Sequence, residues 1–362
     1  MVAPIPSQIT AILATIVDPY LGQDLVCAKV IQEIAISEYT LGLRLQFPYP
    51  LAQRLDALKQ SIVTALESNW PDYTISLNIH TRVRRHRVQS GLKPKSSIKN
   101  IIAVASGKGG VGKSTVAVNL ALALKAQGAK VALLDADIYG PSQPRMLGKQ
   151  GQMARTQGKK LIPMESFGIQ SVSIGYLVDE QAPMVWRGPM ASGALTQLVE
   201  DTLWADCDYL IVDLPPGTGD IQLTLAQKIP ISGVVVVTTP QDIALLDAQK
   251  AVKMFEKVGV PILGLVENMS THICSSCGHQ EAIFGSGGAQ QMANTFNLPV
   301  FAQLPLDGAI RAHSDAGTPI VVSEPQGTVA AQFFEMALKM SATLAQREVD
   351  LTATLPGVVL EA

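Results

Sequence analysis

Two kinds of hydrophobic spacing alternate along the first eighty residues of the chain. Apolar side chains occupy every second position over residues 41–47 and again over residues 73–79, and this period of two predicts half-buried strands. Between them, leucine and isoleucine recur at steps of three and four over residues 51–66, which predicts a helix with one apolar face. We therefore expect residues 1–80 to form a small α+β domain of about three strands and two helices.

The spacing changes after residue 100, where unbroken apolar runs replace the alternation. Such runs are typical of strands buried on both faces of a parallel sheet that carries helices on either side. The fold class is therefore predicted to be α/β, with a large domain over residues 101–347, a tail over residues 348–362, and ligands at the carboxyl edge of the sheet. The runs are residues 101–105, 131–134, 209–212, 233–237 and 262–266.

The composition is typical of a folded intracellular protein. Of the 362 residues, 47% are hydrophobic and 16% are charged, which favours a chain that buries a core over a disordered one. No run of 18 apolar residues occurs, so we expect no membrane span, and the first ten residues lack the order of a signal peptide. The four cysteines are too few for a secreted disulfide framework, and we expect a cytoplasmic location.

A basic segment joins the two predicted domains. Seven lysines and arginines and no acidic residue fall between Arg82 and Lys99, whereas the whole chain has a formal net charge of only −2. The segment has no apolar periodicity, and we interpret residues 81–100 as a solvated linker. The alternative is a docking strip for an acidic partner or nucleic acid, although the near-neutral net charge gives no general reason to expect nucleic-acid binding.

A phosphate-binding loop is the strongest chemical signal in the chain. Residues 107–115 fit the pattern G-x-x-x-x-G-K-[ST], follow a predicted strand and open a predicted helix, which is the context that this motif requires. Its glycines let backbone N–H groups surround phosphate oxygens. Lys113 would neutralise the β- and γ-phosphates of a nucleotide, and the Ser114 hydroxyl would bind Mg²⁺. The predicted nucleotide-binding residues of the loop are Gly107, Lys108, Gly109, Gly110, Val111, Gly112, Lys113, Ser114 and Thr115.

Acidic side chains follow two other predicted strands. Asp213 directly follows one of them and precedes a loop rich in proline and glycine at residues 214–220. An aspartate in this position can hold Mg²⁺ through water, while the loop responds to the γ-phosphate. Asp135 and Asp137 follow the other strand, and we expect Asp135 to support Mg²⁺ indirectly.

A C-x-x-C pair, Cys274 and Cys277, lies in a polar stretch. With His272 and His279 it could form a structural zinc site, although the histidines stand only two residues from the cysteines and the arrangement is cramped. It could also be a redox dithiol, or it could supply two of the four thiolates of an iron–sulfur cluster shared between two copies of the chain. The spacing alone leaves these alternatives open.

The phosphate-binding loop resembles the deviant Walker A motif, K-G-G-V-G-K-[ST], of the dimeric ATPases that include nitrogenase iron protein and the septum-site and plasmid-partition ATPases. In that class the early lysine reaches the phosphates of the other subunit, the second aspartate positions the attacking water, and an asparagine reads the purine base. The resemblance implies these roles for Lys108, Asp137 and Asn268, and it implies a homodimer. The implied catalytic residues are then Lys108, Lys113, Asp137 and Asp213.

Over residues 98–345 the chain resembles, more specifically, the Mrp/ApbC-type iron–sulfur cluster carrier ATPases. The resemblance rests on the phosphate-binding loop, on residues 135–142 and 213–220, and on Glu267-Asn268-Met269-Ser270 followed by the cysteine pair. It implies a cytosolic homodimer that binds ATP, Mg²⁺ and a [4Fe–4S] cluster, the cluster at Cys274 and Cys277. Such a carrier hydrolyses ATP slowly, receives its cluster from a donor and passes it to apoproteins. Two thiolates per chain also suit a shared [2Fe–2S] centre.

The N-terminal unit resembles the small iron–sulfur assembly domain often fused to bacterial members, with Val17-Asp18-Pro19 near its start. Relatives of that domain often carry a cysteine before proline after the second strand, whereas this chain has Phe47-Pro48-Tyr49-Pro50. We therefore expect docking rather than cluster chemistry in this domain. The alternative function for the whole chain is a ParA/MinD-like positioning ATPase on nucleoid or membrane. The residues after Arg347 include no lysine or arginine, which disfavours a basic membrane-binding helix.

Overall fold

The small N-terminal domain combines two helices with a three-stranded sheet. The computed structural model describes residues 4–178, 188–274 and 276–350. In chain order the elements of the small domain are α1 (Pro6–Leu13), β1 (Val17–Asp18), β2 (Gln23–Asp24), β3 (Ile31–Ser37), β4 (Thr40–Phe47), α2 (Leu55–Glu67) and β5 (Thr74–Thr81). The central strand β4 pairs antiparallel with β3 and parallel with β5, and β1 and β2 form a short hairpin.

The hydrophobic spacing explains how this small domain forms its core. The alternation over residues 41–47 is confirmed by β4, in which every second side chain is buried. The helix predicted from residue 51 begins at Leu55, because a 3-10 turn at Ala52–Arg54 precedes it. Apolar side chains of both helices cover one face of the sheet, namely Ile9, Leu13, Ile62 and Leu66.

The large domain is built on one eight-stranded sheet. In chain order the strands are β6 (Ile98–Ser106), β7 (Val131–Asp135), the separate hairpin of β8 (Arg155–Gln157) and β9 (Lys160–Ile162), then β10 (Met164–Ser166), β11 (Ile169–Ser173), β12 (Cys207–Asp213), β13 (Gly233–Thr238), β14 (Ile262–Glu267) and, after a further hairpin, β17 (Val300–Gln303). The order across the sheet is β10-β11-β7-β12-β6-β13-β14-β17. All neighbours are parallel except β10 and β11. The five apolar runs lie in β6, β7, β12, β13 and β14, which confirms the predicted α/β sheet.

Helices cover both faces of this sheet. They are α3 (Lys113–Ala126), α4 (Gln143–Met146), α5 (Gly188–Asp201), α6 (Asp220–Lys228), α7 (Asp242–Lys257), α8 (Gly288–Phe296), α9 (Gly308–Asp315), α10 (Ile320–Ser323) and α11 (Thr328–Ala345). One apolar core lies between the sheet and helices α3 and α11, and the other lies between the sheet and helices α5, α6 and α7. After β14 the chain forms the hairpin of β15 (His272–Ile273) and β16 (Gln280–Glu281).

The basic segment between β5 and β6 packs against the large domain. The buried side chain of Gln89 donates to the carbonyl oxygen of Ala226 (2.7 Å) and accepts from the backbone N–H of Ile231 (2.9 Å). The backbone N–H of His86 donates to Asn100 Oδ1 (3.0 Å). The interpretation as a solvated linker therefore describes its exposed basic side chains, Arg82, Arg84, Arg87 and Lys93, but not its backbone.

The start of the predicted tail pairs with this basic segment. Val349 forms an isolated antiparallel bridge with His86, and the backbone N–H of Asp350 donates to the carbonyl oxygen of Arg85 (2.9 Å). Residues 351–362 of the predicted tail lie outside the described residues. Among the helices that are described, none has both the length and the apolar character needed to cross a membrane.

The two domains share contacts along helix α11. Leu338 and Ala342 of α11 belong to the apolar core of the small domain, and the Tyr20 hydroxyl donates to Glu335 Oε2 at 2.6 Å. The residue boundaries given above for the domains remain predictions. The contacts along α11 mean that the small domain rests directly on a helix of the large one.

Candidate nucleotide and cysteine sites

The phosphate-binding loop joins β6 to α3, and its backbone requires glycine at several positions. Gly110 and Gly112 have φ angles of +81° and +80°, a region that side chains other than glycine rarely adopt. A Cβ atom on Gly107 would lie 2.1 Å from the carbonyl carbon of Asp247 on α7. The loop therefore passes close to α7 and turns sharply into α3, which leaves a backbone cradle that suits a phosphate group.

A buried ion pair lies at the centre of the site. Lys113, the first residue of α3, donates from Nζ to Oδ1 of Asp213, the last residue of β12. The side chains are 6% and 0% exposed, and Lys113 Nζ also lies 3.2 Å from Ser114 Oγ. The parallel pairing of β6 with β12 places the loop beside Asp213. The structure thus brings together the lysine, hydroxyl and carboxylate predicted for a Mg²⁺–nucleotide site.

Asp135, the last residue of β7, and Asp137, in the loop after it, lie at the same edge of the sheet. Asp135 is fully buried and accepts from the backbone N–H of Gln143 (3.1 Å) and from the Ser173 hydroxyl (3.0 Å). Burial, and then the charge of Asp213, raises the pKa of Asp135. Burial also raises the pKa of the half-buried Asp137, and the nearby charge of Lys113 opposes that shift.

Gln143 is a site residue that the sequence analysis missed. It is buried, and its Nε2 donates to Asp213 Oδ2 (2.9 Å) and to the carbonyl oxygen of Ser114 (3.0 Å). Its amide group therefore connects the loop after Asp137 to both of the other polar segments. A glutamine shortly after an acidic motif is a weak signal, and no spacing rule points to it.

The loop rich in proline and glycine is held against the end of β6. The backbone N–H of Gly217 donates to the carbonyl oxygen of Ser106 at 3.0 Å. Gln222 Nε2 donates to the carbonyl oxygens of Pro215 (2.9 Å) and Pro216. These contacts fix the loop beside the phosphate-binding loop, where the sequence analysis expects it to respond to a γ-phosphate.

Asn268 contacts the phosphate-binding loop directly. Its Nδ2 donates to the carbonyl oxygen of Val111 at 2.9 Å, and the side chain is buried. A Cβ atom on Gly112 would lie 2.2 Å from the same nitrogen. The amide group thus supports the loop in this structure, and its role in reading a purine base stays a prediction.

Together these residues fit Mg²⁺ and a nucleoside triphosphate. The fit rests on the glycine-lined cradle, on a buried lysine that can move from a carboxylate to a phosphate, and on oxygen donors of the kind that Mg²⁺ prefers. Ser114 and Asp213 are the residues that would hold the metal.

The cysteine pair lies at the tip of the hairpin formed by β15 and β16. The backbone N–H of Cys274 donates to the carbonyl oxygen of His279 (2.9 Å), and the N–H of Gly278 donates to the carbonyl oxygen of Cys274 (2.8 Å). Gly278 has a φ angle of +72°, which allows the tight turn. Cys274 is half-buried and Cys277 is exposed, whereas Ser275 between them lies outside the described residues.

The electrostatic environment of this hairpin favours a thiolate. Hydrogen bonds from the backbone N–H groups of Cys277 and Ser276 lower the pKa of Cys274. In contrast, the carboxylate of Asp24 raises the pKa of Cys27, and burial raises that of Cys207 to about 12. Thiolates are the form in which cysteine binds metals. Cys274 is therefore better suited to metal binding than Cys27 or Cys207.

One chain does not assemble the zinc site considered from the sequence. His272 Nδ1 lies 3.2 Å from the carbonyl oxygen of Leu306, so a metal could bind this ring only through Nε2. Within the described residues, no three His, Cys, Asp or Glu side chains are grouped so as to hold a metal. Cys207 lies in the core of the large domain and Cys27 lies in the small domain. Each chain thus offers a site of two thiols.

Asp18 of the Val17-Asp18-Pro19 segment has a structural role in the small domain. Asp18 Oδ1 accepts from the backbone N–H groups of Tyr20 (2.9 Å) and Leu21 (2.8 Å), and Oδ2 accepts from the Tyr49 hydroxyl (2.6 Å). Phe47 and Tyr49 are buried and contact each other edge to face. The residues before Pro48 and Pro50 are thus core aromatics, at the place where the resemblance leads us to expect a cysteine before proline.

Comparisons with known proteins agree with this geometry. A family model described as the NUBPL iron-transfer P-loop NTPase of the ParA group matches residues 97–341, and one described as an iron-sulfur cluster assembly protein matches residues 6–77. The chain is 49% identical over 343 residues to the iron-sulfur cluster carrier protein of Haemophilus influenzae, an alignment that covers 93% of this chain and 92% of the relative. The protein of the same name from Escherichia coli K12 has the same identity and coverage.

Solved structures show the same architecture for the large domain. The nucleotide-binding protein from Archaeoglobus fulgidus, in complex with ADP, has a TM-score of 0.58 and 36% identity, covering 66% of this chain and 92% of that chain. The cell division ATPase MinD from Pyrococcus furiosus has a TM-score of 0.51 and 22% identity, covering 67% of this chain and 98% of its own. The second likeness concerns the fold alone, and both agree with the P-loop architecture predicted from the sequence.

Proposed function

The chain belongs to the NUBPL-type iron-transfer P-loop NTPases, and from this membership we propose that it is an ATP-hydrolysing carrier of iron–sulfur clusters. We propose further that its cargo is a [4Fe–4S] cluster held by Cys274 and Cys277 of two copies of the chain. The observation that carries this proposal is the hairpin, which presents two accessible thiols, one with a lowered pKa. Clusters of this type use four thiolates, and two copies supply that number.

The nucleotide site supplies the parts that phosphoryl transfer to water requires. Lys113 exchanges its contact with Asp213 for the β- and γ-phosphates of ATP, and Lys108 of a second copy reaches the same phosphates. When bound, Mg²⁺ would be held by the Ser114 hydroxyl and, through water, by Asp213. It would neutralise charge on those phosphates. Asp137 orients the attacking water and accepts its proton as the water oxygen bonds to the terminal phosphorus. The bond from that phosphorus to the bridging oxygen breaks, and ADP leaves.

Two sets of contacts connect this nucleotide site to the cysteine hairpin. Asn268, six residues before Cys274, holds the carbonyl oxygen of Val111 in the phosphate-binding loop. The backbone N–H of Leu306, in the segment before α9, donates to the carbonyl oxygen of Thr271 at the base of the hairpin (2.8 Å). Helix α9 in turn packs on α4 beside the nucleotide site. ATP binding and hydrolysis therefore have a physical route by which to change the exposure of a bound cluster.

This coupling predicts that cluster loading and cluster delivery can be separated. Lys113→Ala removes the phosphate-binding lysine, so ATPase activity and delivery to an apoprotein should both be lost while loading stays close to normal. The measurement follows recovery of activity in the apoprotein together with iron retained by the carrier. Delivery at the normal rate by the variant would show that hydrolysis and transfer are independent.

Anaerobic reconstitution with iron and sulfide tests the cluster site itself. About four irons and four sulfides per dimer are expected for wild type, together with a molar mass twice that of one chain. The cluster should be lost in Cys274→Ala/Cys277→Ala and retained in Cys27→Ala, which removes an exposed thiol elsewhere. Zinc without sulfide, or a cluster that survives the double substitution, would contradict the proposed site. Two irons and two sulfides per dimer would correct the cluster type.

The partners follow from the same chemistry. We propose that the homodimer works in the cytoplasm, where exposed thiols such as Cys277 stay reduced. A donor supplies the cluster and apo iron–sulfur proteins receive it. The small domain, with its aromatic core in place of a cysteine, serves as a docking module for one of these proteins.

A further inference from the structure

Two consecutive side-chain oxygens beside the nucleotide site are buried without a hydrogen-bond partner among the described residues. They are Ser142 Oγ and Gln143 Oε1, at the end of the loop that follows Asp137. Buried polar atoms in proteins nearly always have a partner, and leaving one unpaired is costly. Two such atoms in succession, next to a ligand site, indicate that the ligand itself supplies their partners.

The orientation of the Gln143 amide is fixed by its neighbours. Its Nε2 lies 2.9 Å from Asp213 Oδ2 and 3.0 Å from the carbonyl oxygen of Ser114, and both of these atoms can only accept. A flipped amide would bring its oxygen against two other acceptors. The unpaired Oε1 is therefore held close to Ser114 and Asp213, the two residues expected to hold Mg²⁺.

The chemistry of Oε1 determines which ligand it can bind. An amide oxygen accepts hydrogen bonds and cannot donate them. The phosphates of ATP at neutral pH also only accept, so a phosphate cannot be the partner of Oε1. Lys113 Nζ contacts Asp213 Oδ1 and Ser114 Oγ in this structure and makes no hydrogen bond to Oε1. A water molecule bound to a divalent cation is a polarised donor that belongs at this position.

We propose that Ser142 and Gln143 are positioning residues of the ATPase site and that their side-chain oxygens accept hydrogen bonds from water molecules bound to the Mg²⁺ of Mg²⁺–ATP. The backbone N–H of Gln143 also donates to Asp135 Oδ2 (3.1 Å). Gln143 would thereby link metal-bound water to Asp135 and to the loop that carries Asp137. This inference rests on the ATPase site and not on the cluster site, so either can fail without the other.

Mg²⁺ titration of nucleotide binding tests the proposal. A fluorescent, non-hydrolysable ATP analogue is bound to the full-length protein in EDTA and at increasing MgCl₂ concentrations. Gln143→Met should raise the MgCl₂ concentration for half-maximal effect roughly tenfold, since it loses a hydrogen bond to a charged group. Ser142→Ala should raise it about threefold. For both variants the loss of affinity should be larger with Mg²⁺ than in EDTA, because the oxygens that are removed accept from metal-bound water and not from the phosphates.

A second buried glutamine provides the matched control. Gln127 donates from Nε2 to Gln53 Oε1 (3.0 Å) and accepts from the backbone N–H of Gln53 (3.1 Å), at the far end of α3. Gln127→Met removes a buried amide of the same size and should leave the Mg²⁺ requirement unchanged.

Three results would overturn the proposal. They are an unchanged Mg²⁺ requirement in both site variants, an equal loss of affinity with and without Mg²⁺, and the same shift in the Gln127→Met control. Thermal unfolding in EDTA shows whether each variant is folded. Should Gln143→Met fail to fold, Ser142→Ala decides the question, because it removes a single oxygen that has no protein partner among the described residues.

Discussion

Replacing Lys113 by methionine should destabilise the nucleotide-free protein as well as abolish its activity. The lysine is 6% exposed and its partner Asp213 is fully buried, so Lys113→Met leaves a carboxylate in the core without its cation. Breaking a buried pair in this way typically costs about 3–5 kcal/mol of unfolding free energy. The Asp135 carboxyl close by adds repulsion, since the charge of Asp213 already raises its pKa.

The companion variants separate the ion pair from other effects. Asp213→Asn leaves Lys113 free to turn toward the solvent end of the loop, so its cost should be smaller, about 1–2 kcal/mol. The double variant removes both charges, and its cost should fall short of the sum by at least about 2 kcal/mol. This difference is the coupling energy of the pair.

The destabilisation by Lys113→Met should also depend on pH. Burial raises the pKa of Asp135 above its ordinary value of 3.8, and the charge of Lys113 opposes the rise. Without that charge the pKa of Asp135 rises further. An acid with a raised folded pKa contributes stability below its unfolded pKa that is lost as the pH rises through the folded value. The variant should therefore lose more stability than wild type between pH 5 and pH 8.

Urea unfolding in EDTA, followed by tryptophan fluorescence at several pH values, measures all of these quantities. The predicted result is a large, pH-dependent loss for Lys113→Met and a partial recovery in the double variant. A loss below about 1 kcal/mol at pH 7, well under the usual cost of an unpaired buried charge, would refute the reasoning. So would strictly additive effects of the two substitutions.

Three further predictions concern single residues. Lys108→Ala should lower ATPase activity by about a thousandfold, as expected for a cation that one subunit supplies to the other. A fluorescent nucleotide should still bind to this variant. Normal turnover would exclude the role of Lys108 at the phosphates of the other subunit. Gly107→Ala should lower the urea midpoint strongly, because its Cβ would lie 2.1 Å from backbone, whereas Gly109→Ala, whose Cβ meets nothing closer than 3.9 Å, should leave it near wild type. Cys274 should be alkylated by iodoacetamide at lower pH than Cys27, since the two pKa shifts have opposite signs, and peptide mapping that shows the reverse order would contradict the hairpin geometry.

The fold was predictable wherever a segment is buried either on one face only or on both faces. The alternation in β4 and the apolar runs of β6 and β12 follow directly from which faces are covered, and their positions agree with the structure. Short strands such as β8 and β9 carry no such pattern, because most of their side chains are exposed and only Leu161 packs against a core. Their pairing depends on turn geometry, which apolar spacing does not report.

Polar contacts between distant segments explain what the sequence analysis missed. The basic segment between the domains reads as solvated, yet Gln89 is buried because it satisfies backbone groups of Ala226 and Ile231, far away in the chain. Gln143 escapes notice for the same reason, since its partners lie on two other elements. The P-loop residues were predictable because phosphate binding uses one continuous segment.

Cluster transfer to an apoprotein tests the central claim most directly. Wild-type protein is loaded anaerobically, freed of unbound iron and sulfide, and mixed with an apoprotein that needs a [4Fe–4S] cluster for its activity. A strong iron chelator is present to intercept released iron. The account predicts that activity is recovered in proportion to the cluster supplied by wild type, and that Cys274→Ala/Cys277→Ala supplies none. Recovery that the chelator abolishes, or equal recovery with the double variant, would contradict it.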